Sequence, residues 1–129
     1  MARLLSARCA CGTGRTRAPA PSLRYRFSTP TRKDHGLLVA LLDAPPPPIF
    51  ASMSRPCPAA SVTTHMQLVA DPASLPGERP WFVYESKATY MGSGHSDIVG
   101  RLWCEDGTYV GSIALHIADF SATRAAAAA

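Results

Sequence analysis

The end of a short apolar segment carries the first side chain in this sequence that is suited to chemistry. Asp43 follows residues 37–42, LLVALL, and precedes four prolines at residues 45–48. Proline lacks a backbone N–H and its ring clashes with the preceding turn, so a helix through the apolar segment must end near Asp43 or Ala44. A carboxylate held there could bind and polarise a water molecule. The alternative is a helix-end acid that reaches solvent or backbone and performs no chemistry.

Hydroxyl groups follow the prolines in a segment that alternates polar and apolar residues. Residues 59–69, AASVTTHMQLV, have the two-residue period of a strand, which predicts that Ser61 and Thr63 lie on one polar face. His65 shares the predicted face, where a surface or hydrogen-bonded histidine is the interpretation and a catalytic base the alternative.

A pair of glycines separates two later strands. Gly92, Ser93 and Gly94 form the sequence GSG, which could let the backbone approach a ligand closely. A turn or a bulge is the alternative for so short a pair.

The four cysteines do not form a metal-binding or disulfide pattern. Cys9 and Cys11 are separated by one residue, and Cys57 and Cys104 supply no second pair at the spacing of zinc ligands. We therefore expect free thiols, no metal and no cofactor.

One helix and five strands must position these residues. Asp34 is predicted to cap a helix over residues 35–43, whose side chains are apolar almost all round. Residues 105–108, EDGT, carry an Asp-Gly turn signal between two alternating segments and predict a hairpin. The predicted order is strand, helix and then a meander of four strands, an α+β arrangement. The predicted strands cover residues 22–28, 59–69, 81–91, 96–104 and 109–117.

Length and charge exclude several classes of function. The chain has 129 residues and a net charge of +4, which fits one domain. Residues 1–33 hold eight basic and no acidic side chains, whereas residues 34–129 hold five basic and nine acidic ones. Because the basic charge lies in a Pro- and Ala-rich leader with few aromatic residues, we predict no nucleic-acid binding. No apolar stretch reaches the roughly 20 residues of a membrane helix, so we predict a soluble protein without a membrane partner.

The sequence divides into a leader, a domain and a tail. Residues 1–21 are basic and rich in Pro and Ala, residues 22–120 hold the predicted elements, and residues 121–129 are Ala-rich. The leader has the composition of an organellar transit peptide, and a truncated or misjoined reading frame is the alternative. A cytoplasmic location is the main prediction, with an organelle as the alternative.

Four motifs, in this order, resemble the acyl-CoA thioesterase-like family in which two hotdog domains occur in one chain. They match the C-terminal half of that family over roughly residues 22–120, with the residues Leu41–Pro46, Thr63–Met66, Gly92–Gly94 and Leu102–Gly107. The resemblance implies the hotdog fold, an antiparallel sheet wrapped around one central helix. It also implies hydrolysis of an acyl-CoA to a free acid and CoA.

The resemblance further assigns roles to individual residues. It implies that Asp43 activates water and that Ser61 or Thr63 assists. Gly92, Ser93 and Gly94 would approach the pantetheine or the phosphates of CoA. The family's hydroxyl residue and its glutamine align with Ala59 and Leu115, next to which Ser61, Thr63 and His116 are polar neighbours.

The apolar positions Ala59 and Leu115 keep a second function open. The alternative is a non-catalytic acyl- or CoA-binding or assembly module, or a fragment of a double-hotdog thioesterase. Aromatic residues of the later strands, Tyr84 among them, are predicted to pack the core or to line an acyl tunnel. Because half of a double hotdog leaves a sheet edge and apolar surface uncovered, we expect a homodimer or pairing with a second hotdog domain.

Overall fold

The computed structural model describes residues 22–52 and 58–120, with side chains described up to residue 50 in the first range. In this part of the chain a five-stranded antiparallel sheet carries one nine-residue helix, in the strand order β1-β3-β4-β5-β2. The elements are β1 (Ser22–Tyr25), α1 (His35–Asp43), α2 (Ile49–Ser52), β2 (Ala59–Leu68), β3 (Phe82–Gly92), β4 (His95–Cys104) and β5 (Tyr109–Asp119), with a 3₁₀ turn at Pro72–Ser74.

Helix α1 has the predicted bounds. The Asp34 side chain accepts a hydrogen bond from the Leu37 N–H at 2.9 Å, which caps the helix as expected. The helix ends at Asp43. Its last hydrogen bond runs from the N–H of the next residue, Ala44, to the Ala40 carbonyl. One face of the helix packs on the sheet and the other is open, since Val39 is 41% exposed. The buried face consists of Leu37, Leu38, Leu41 and Leu42.

The predicted meander of four strands was wrong for β2. Strands β3, β4 and β5 form a meander, but β2 pairs with β5 at the far edge of the sheet rather than with β3. The connection over residues 69–81 is much longer than a hairpin loop and includes buried Pro72 and Leu75. It can therefore cross to the other side of the meander, which leaves β3 free to pair with β1.

Strand β1 is shorter than predicted. It ends at Tyr25, whose partner is Phe82, the first residue of β3. Pro80 lies just before β3 and has no N–H for a longer ladder. The predicted strands at 96–104 and 109–117 are extended slightly, to His95 and Asp119.

The core lies between α1 and the sheet, and a smaller cluster lies under the proline segment. Leu38, Leu41 and Leu102 are fully buried in the first cluster, and Ile98 and Ile117 belong to the second. The free Cys104 thiol is buried in the first cluster, and this burial raises its pKa to about 11. A thiol with so high a pKa is unreactive near neutral pH.

Several predictions lie outside the described residues. Residues 1–21 and 121–129, with Cys9, Cys11 and Cys57, are among them, so the leader and tail boundaries stay predictions. Within residues 22–52 and 58–120, no helix has the length and apolar character needed to cross a membrane.

Candidate active site

A pocket of about 200 Å³ lies between the end of α1, the proline segment and the helix-facing side of the sheet. Its wall is mostly aliphatic, with side chains from α1, β4 and β5. Polar groups enter it from three elements, namely Asp43 of α1, Ser61 of β2 and Tyr84 of β3. An apolar cavity with a few convergent polar groups is the usual form of a small-molecule site. The aliphatic residues are Leu42, Ile98, Ile113, Leu115 and Ile117.

Asp43 lies at the opening of this pocket and is exposed. It is the last residue of α1, where the carbonyl groups of a helix carry partial negative charge and disfavour a carboxylate. Among the described residues it has no ion pair or side-chain hydrogen bond. Neither helix electrostatics nor a structural partner accounts for its position, which leaves the carboxylate available to a bound molecule.

A bulge in β2 separates the two predicted hydroxyls. Ser61 pairs with Ile117 and Thr63 pairs with His116, so Val62 is an extra residue without a partner on β5. Because the partners are consecutive on β5, Ser61 faces the pocket with Ile117, whereas Thr63 lies on the opposite face of the sheet. The prediction that Ser61 and Thr63 share one face was therefore wrong.

Gly92, Ser93 and Gly94 lie at the β3–β4 turn and not in the pocket lining. Ser93 and Gly94 have φ values of 52° and 77°, the positive values that a two-residue hairpin turn requires. The Asp119 N–H donates to the Gly94 carbonyl at 2.8 Å and fixes the turn against β5. These contacts account for the glycines as turn residues, and a contact with substrate stays a prediction.

The two positions that the resemblance assigns to polar groups do reach the pocket. Ala59 and Leu115 both line it. The residues that align with the family's hydroxyl and glutamine therefore lie at the pocket but supply no polar side-chain atom. The neighbouring His116 lies on the other face of the sheet and cannot replace Leu115 in the pocket.

Tyr84 is the polar pocket residue to which the sequence analysis gave no polar role. Its side chain is buried, with 5% exposure, and lies over Gly100 of β4, where a Cβ would collide with the phenol. Burial and then the negative charge of Asp43 raise the pKa of Tyr84 to about 12. The glycine inside the β4 pattern was the available signal, because such glycines mark the close approach of another group.

A second polar cluster lies on the sheet face opposite α1. His116 Nδ1 is 2.5 Å from Asp97 Oδ1, and His116 Nε2 is 3.2 Å from His95 Nδ1. The two imidazole rings stack with centroids 5.2 Å apart. In the described part of the chain, no group of three His, Cys, Asp or Glu side chains could hold a metal ion.

A family model and two solved structures are similar to this chain. A family model described as acyl-CoA thioesterase C-terminal domain matches residues 4–114. A conserved protein of unknown function with hot dog fold from Alicyclobacillus acidocaldarius is similar at a TM-score of 0.63 and 24% identity, over 78% of this chain and 39% of that chain. The acyl-CoA thioesterase II TesB2 from Mycobacterium marinum is similar at a TM-score of 0.61 and 14% identity, over 84% of this chain and 45% of that chain.

Both solved structures confirm the predicted α+β hotdog fold. The chain spans less than half the length of each of them. No curated protein matches the sequence.

Proposed function

We propose that this chain, which belongs to the acyl-CoA thioesterase C-terminal domain family, hydrolyses an acyl-CoA to a free acid and CoA. The observation that carries the proposal is the Asp43 carboxylate at the opening of an aliphatic pocket that also holds Ser61 and Tyr84. The aliphatic wall suits an acyl chain, and the polar end suits the thioester group.

The proposed reaction is attack of water on the thioester carbonyl. Asp43 accepts a proton from the water as its oxygen bonds to the carbonyl carbon, and the carbonyl oxygen takes up negative charge. The C–S bond then breaks, the acid is released, and the CoA sulfur leaves with the proton that Asp43 took from the water, which restores the carboxylate. Ser61 is the assisting hydroxyl, because it lies in the same pocket as Asp43. Thr63, on the other face of the sheet, receives no substrate contact in this scheme.

We also propose a contact between the β3–β4 turn and CoA. Gly92, Ser93 and Gly94 lie outside the pocket lining, so they would meet only a part of CoA that extends beyond it. A series of truncated thioesters tests this contact. Hydrolysis that falls when the nucleotide part of CoA is removed, and falls less in a variant of the turn, would support it.

A second function is favoured by Ala59 and Leu115. Both line the pocket without a polar atom, which suits a module that binds an acyl group or CoA and does not cleave it. Direct binding of acyl-CoA by calorimetry, without release of free thiol, would identify this module. Thiol release would exclude it.

We also propose that the domain pairs with a second copy or with a second hotdog domain. Strand β2 is an edge strand of ten residues, and Val62 at its bulge is 57% exposed. An edge of this length, with no further strand beside it among the described residues, favours pairing with another sheet. Size-exclusion chromatography with light scattering tests the pairing, and a stable monomer at high concentration would exclude the homodimer.

A cytoplasmic location is the proposal for the cell, with an organelle as the alternative that the basic residues 1–21 suggest. Microscopy of fluorescent fusions with and without these residues separates the two. A signal in an organelle that requires residues 1–21 would overturn the cytoplasmic assignment.

The experiment that tests the function is thiol release from short, medium and long acyl-CoAs by the purified protein. The control is Asp43→Ala, whose exposed position at the end of α1 should leave the fold intact. Release that depends on Asp43 supports the proposal. No release from a folded sample with any chain length would contradict it.

A further inference from the structure

Two buried tyrosines face α1 from neighbouring strands, and their hydroxyl groups differ in hydrogen bonding. The Tyr25 hydroxyl donates a hydrogen bond to the Leu41 carbonyl. The Tyr84 hydroxyl takes part in none of the hydrogen bonds found among the described residues, although the side chain is 5% exposed. The buried side-chain polar atoms without a partner in the described residues are Arg26 Nε and Ser96 Oγ, so the Tyr84 hydroxyl is not fully enclosed. Because Tyr84 lines the pocket, water or a ligand there can bind the hydroxyl. The Tyr84 hydroxyl is therefore available to donate a hydrogen bond to a molecule in the pocket.

The position of the Tyr84 hydroxyl is fixed by the sheet beneath it. The phenol lies directly over Gly100, where only the absence of a Cβ leaves room for it. Ile98 precedes Gly100 on the same face of β4, and Ile113 is the partner of Gly100 on β5. Both isoleucines line the pocket together with Tyr84. The hydroxyl is thus held over the pocket floor by packing and needs no rearrangement to meet a ligand.

The electrostatic surroundings keep this group in its donor form. Burial is the main cause and the charge of Asp43 the second cause of a Tyr84 pKa of about 12. The phenol therefore retains its proton at any pH at which a thioester is hydrolysed enzymatically. A carboxylate that accepts protons and a phenol that donates a hydrogen bond lie beside the same pocket, which is the pair of functions that carbonyl hydrolysis requires.

We propose that the Tyr84 hydroxyl donates a hydrogen bond to the carbonyl oxygen of the bound acyl thioester. This inference rests on the proposed function and adds the group that stabilises the charge on that oxygen. When water adds to the carbonyl carbon, its proton passes to Asp43 and the former carbonyl oxygen becomes negative. Tyr84 keeps its proton throughout and only strengthens its hydrogen bond. Tyr84 thereby adds a donor to the Ser61 hydroxyl, at a site where the side chains of Ala59 and Leu115 provide none.

The first test compares two matched variants, Tyr84→Phe and Tyr25→Phe. Each removes one tyrosine hydroxyl from the helix-facing side of the sheet and keeps the aromatic ring. Tyr84→Phe should lower kcat about 10- to 100-fold with a smaller change in KM, since the lost contact strengthens in the transition state. Tyr25→Phe should lower the melting temperature, through loss of the bond to Leu41, and leave kcat unchanged. Equal kcat values for Tyr84→Phe and the wild type would overturn the inference.

The second test needs no turnover. Two acyl-CoA analogues are compared by calorimetry: a ketone, in which CH₂ replaces the sulfur, and a thioether, in which CH₂ replaces the carbonyl. The wild type should bind the ketone about tenfold more tightly than the thioether, and Tyr84→Phe should remove that preference. An unchanged preference in Tyr84→Phe would overturn the inference.

The two tests separate the inference from the function on which it rests. One result is a wild type that hydrolyses no acyl-CoA and still binds the ketone more tightly, with that preference absent in Tyr84→Phe. This result would refute hydrolysis and support the Tyr84 contact. A wild type that hydrolyses acyl-CoA as fast as Tyr84→Phe does would support hydrolysis and refute the Tyr84 contact.

Discussion

Replacement of Gly100 by alanine tests the geometry of the pocket floor. A Cβ at Gly100 would lie 2.5 Å from Tyr84 Cζ and 2.7 Å from Cε2, and closer still to the hydroxyl oxygen. The backbone of Gly100 does not have a positive φ, so alanine itself fits the strand. The change should therefore act through the phenol. Displacing a packed ring costs about 1–3 kcal/mol, and the lower entropy of the unfolded chain with alanine returns about 0.4–1 kcal/mol.

The expected net loss in the free energy of unfolding is about 1.3 kcal/mol from the midpoints of these ranges, with limits of about 0 and 2.6 kcal/mol. Urea unfolding followed by the fluorescence of Trp81 and Trp103 measures it. Catalysis should fall as well, because the displaced hydroxyl no longer meets the thioester oxygen.

A second background supplies the control for this prediction. In Tyr84→Leu the side chain no longer reaches Gly100, so Gly100→Ala should there be neutral or slightly stabilising. The sign of the alanine effect thus depends on the residue at position 84. A Gly100→Ala change that destabilises both backgrounds equally would refute the close packing of Tyr84 on Gly100.

Two further predictions concern pH and the opposite face of the sheet. Because the pKa of Tyr84 rises from 10.0 unfolded to about 12 folded, the stability it contributes is complete below pH 10 and is lost as pH rises to about 12. Urea unfolding across this range should show a shallower loss for Tyr84→Phe, and equal slopes would contradict the assigned burial. Asp97→Asn removes a half-exposed contact with His116, so it should cost less than about 1 kcal/mol and leave hydrolysis unchanged. A large loss of hydrolysis would indicate that the active site lies on the sheet face of Asp97 and not on the face that packs against α1.

Local signals made the helix and the turns predictable from the sequence. The Asp34 cap and the prolines at 45–48 fix both ends of α1 within a few residues of themselves. The Asp-Gly turn works in the same way, since Gly107 has a φ of 90° and the Thr108 N–H bonds to the Asp106 side chain at 2.9 Å. Such features depend only on neighbouring residues, and the predicted bounds were accordingly close.

Features that depend on distant residues were not predictable in the same way. The bulge at Val62 arises from the register of β2 against β5, and it places Thr63 on the face away from Asp43. Strand alternation alone had put Ser61 and Thr63 together. The contact of Tyr84 with Gly100 likewise joins two strands. The glycine signals that some group approaches β4 closely, but its own segment does not show that the group is Tyr84. The position of the Tyr84 hydroxyl in the pocket depends on how β3 and β4 pair, which local sequence does not show.

The proposed reaction is attack of water on an acyl thioester in the pocket beside Asp43. The most direct measurement is hydrolysis of an acyl-CoA in ¹⁸O-labelled water, with the products identified by mass spectrometry and Asp43→Asn as the control. We expect one ¹⁸O atom in each molecule of free acid, an equal amount of free CoA, and a kcat about 100-fold or more lower in Asp43→Asn. Equal rates in the two proteins, or binding of acyl-CoA without labelled acid, would contradict it.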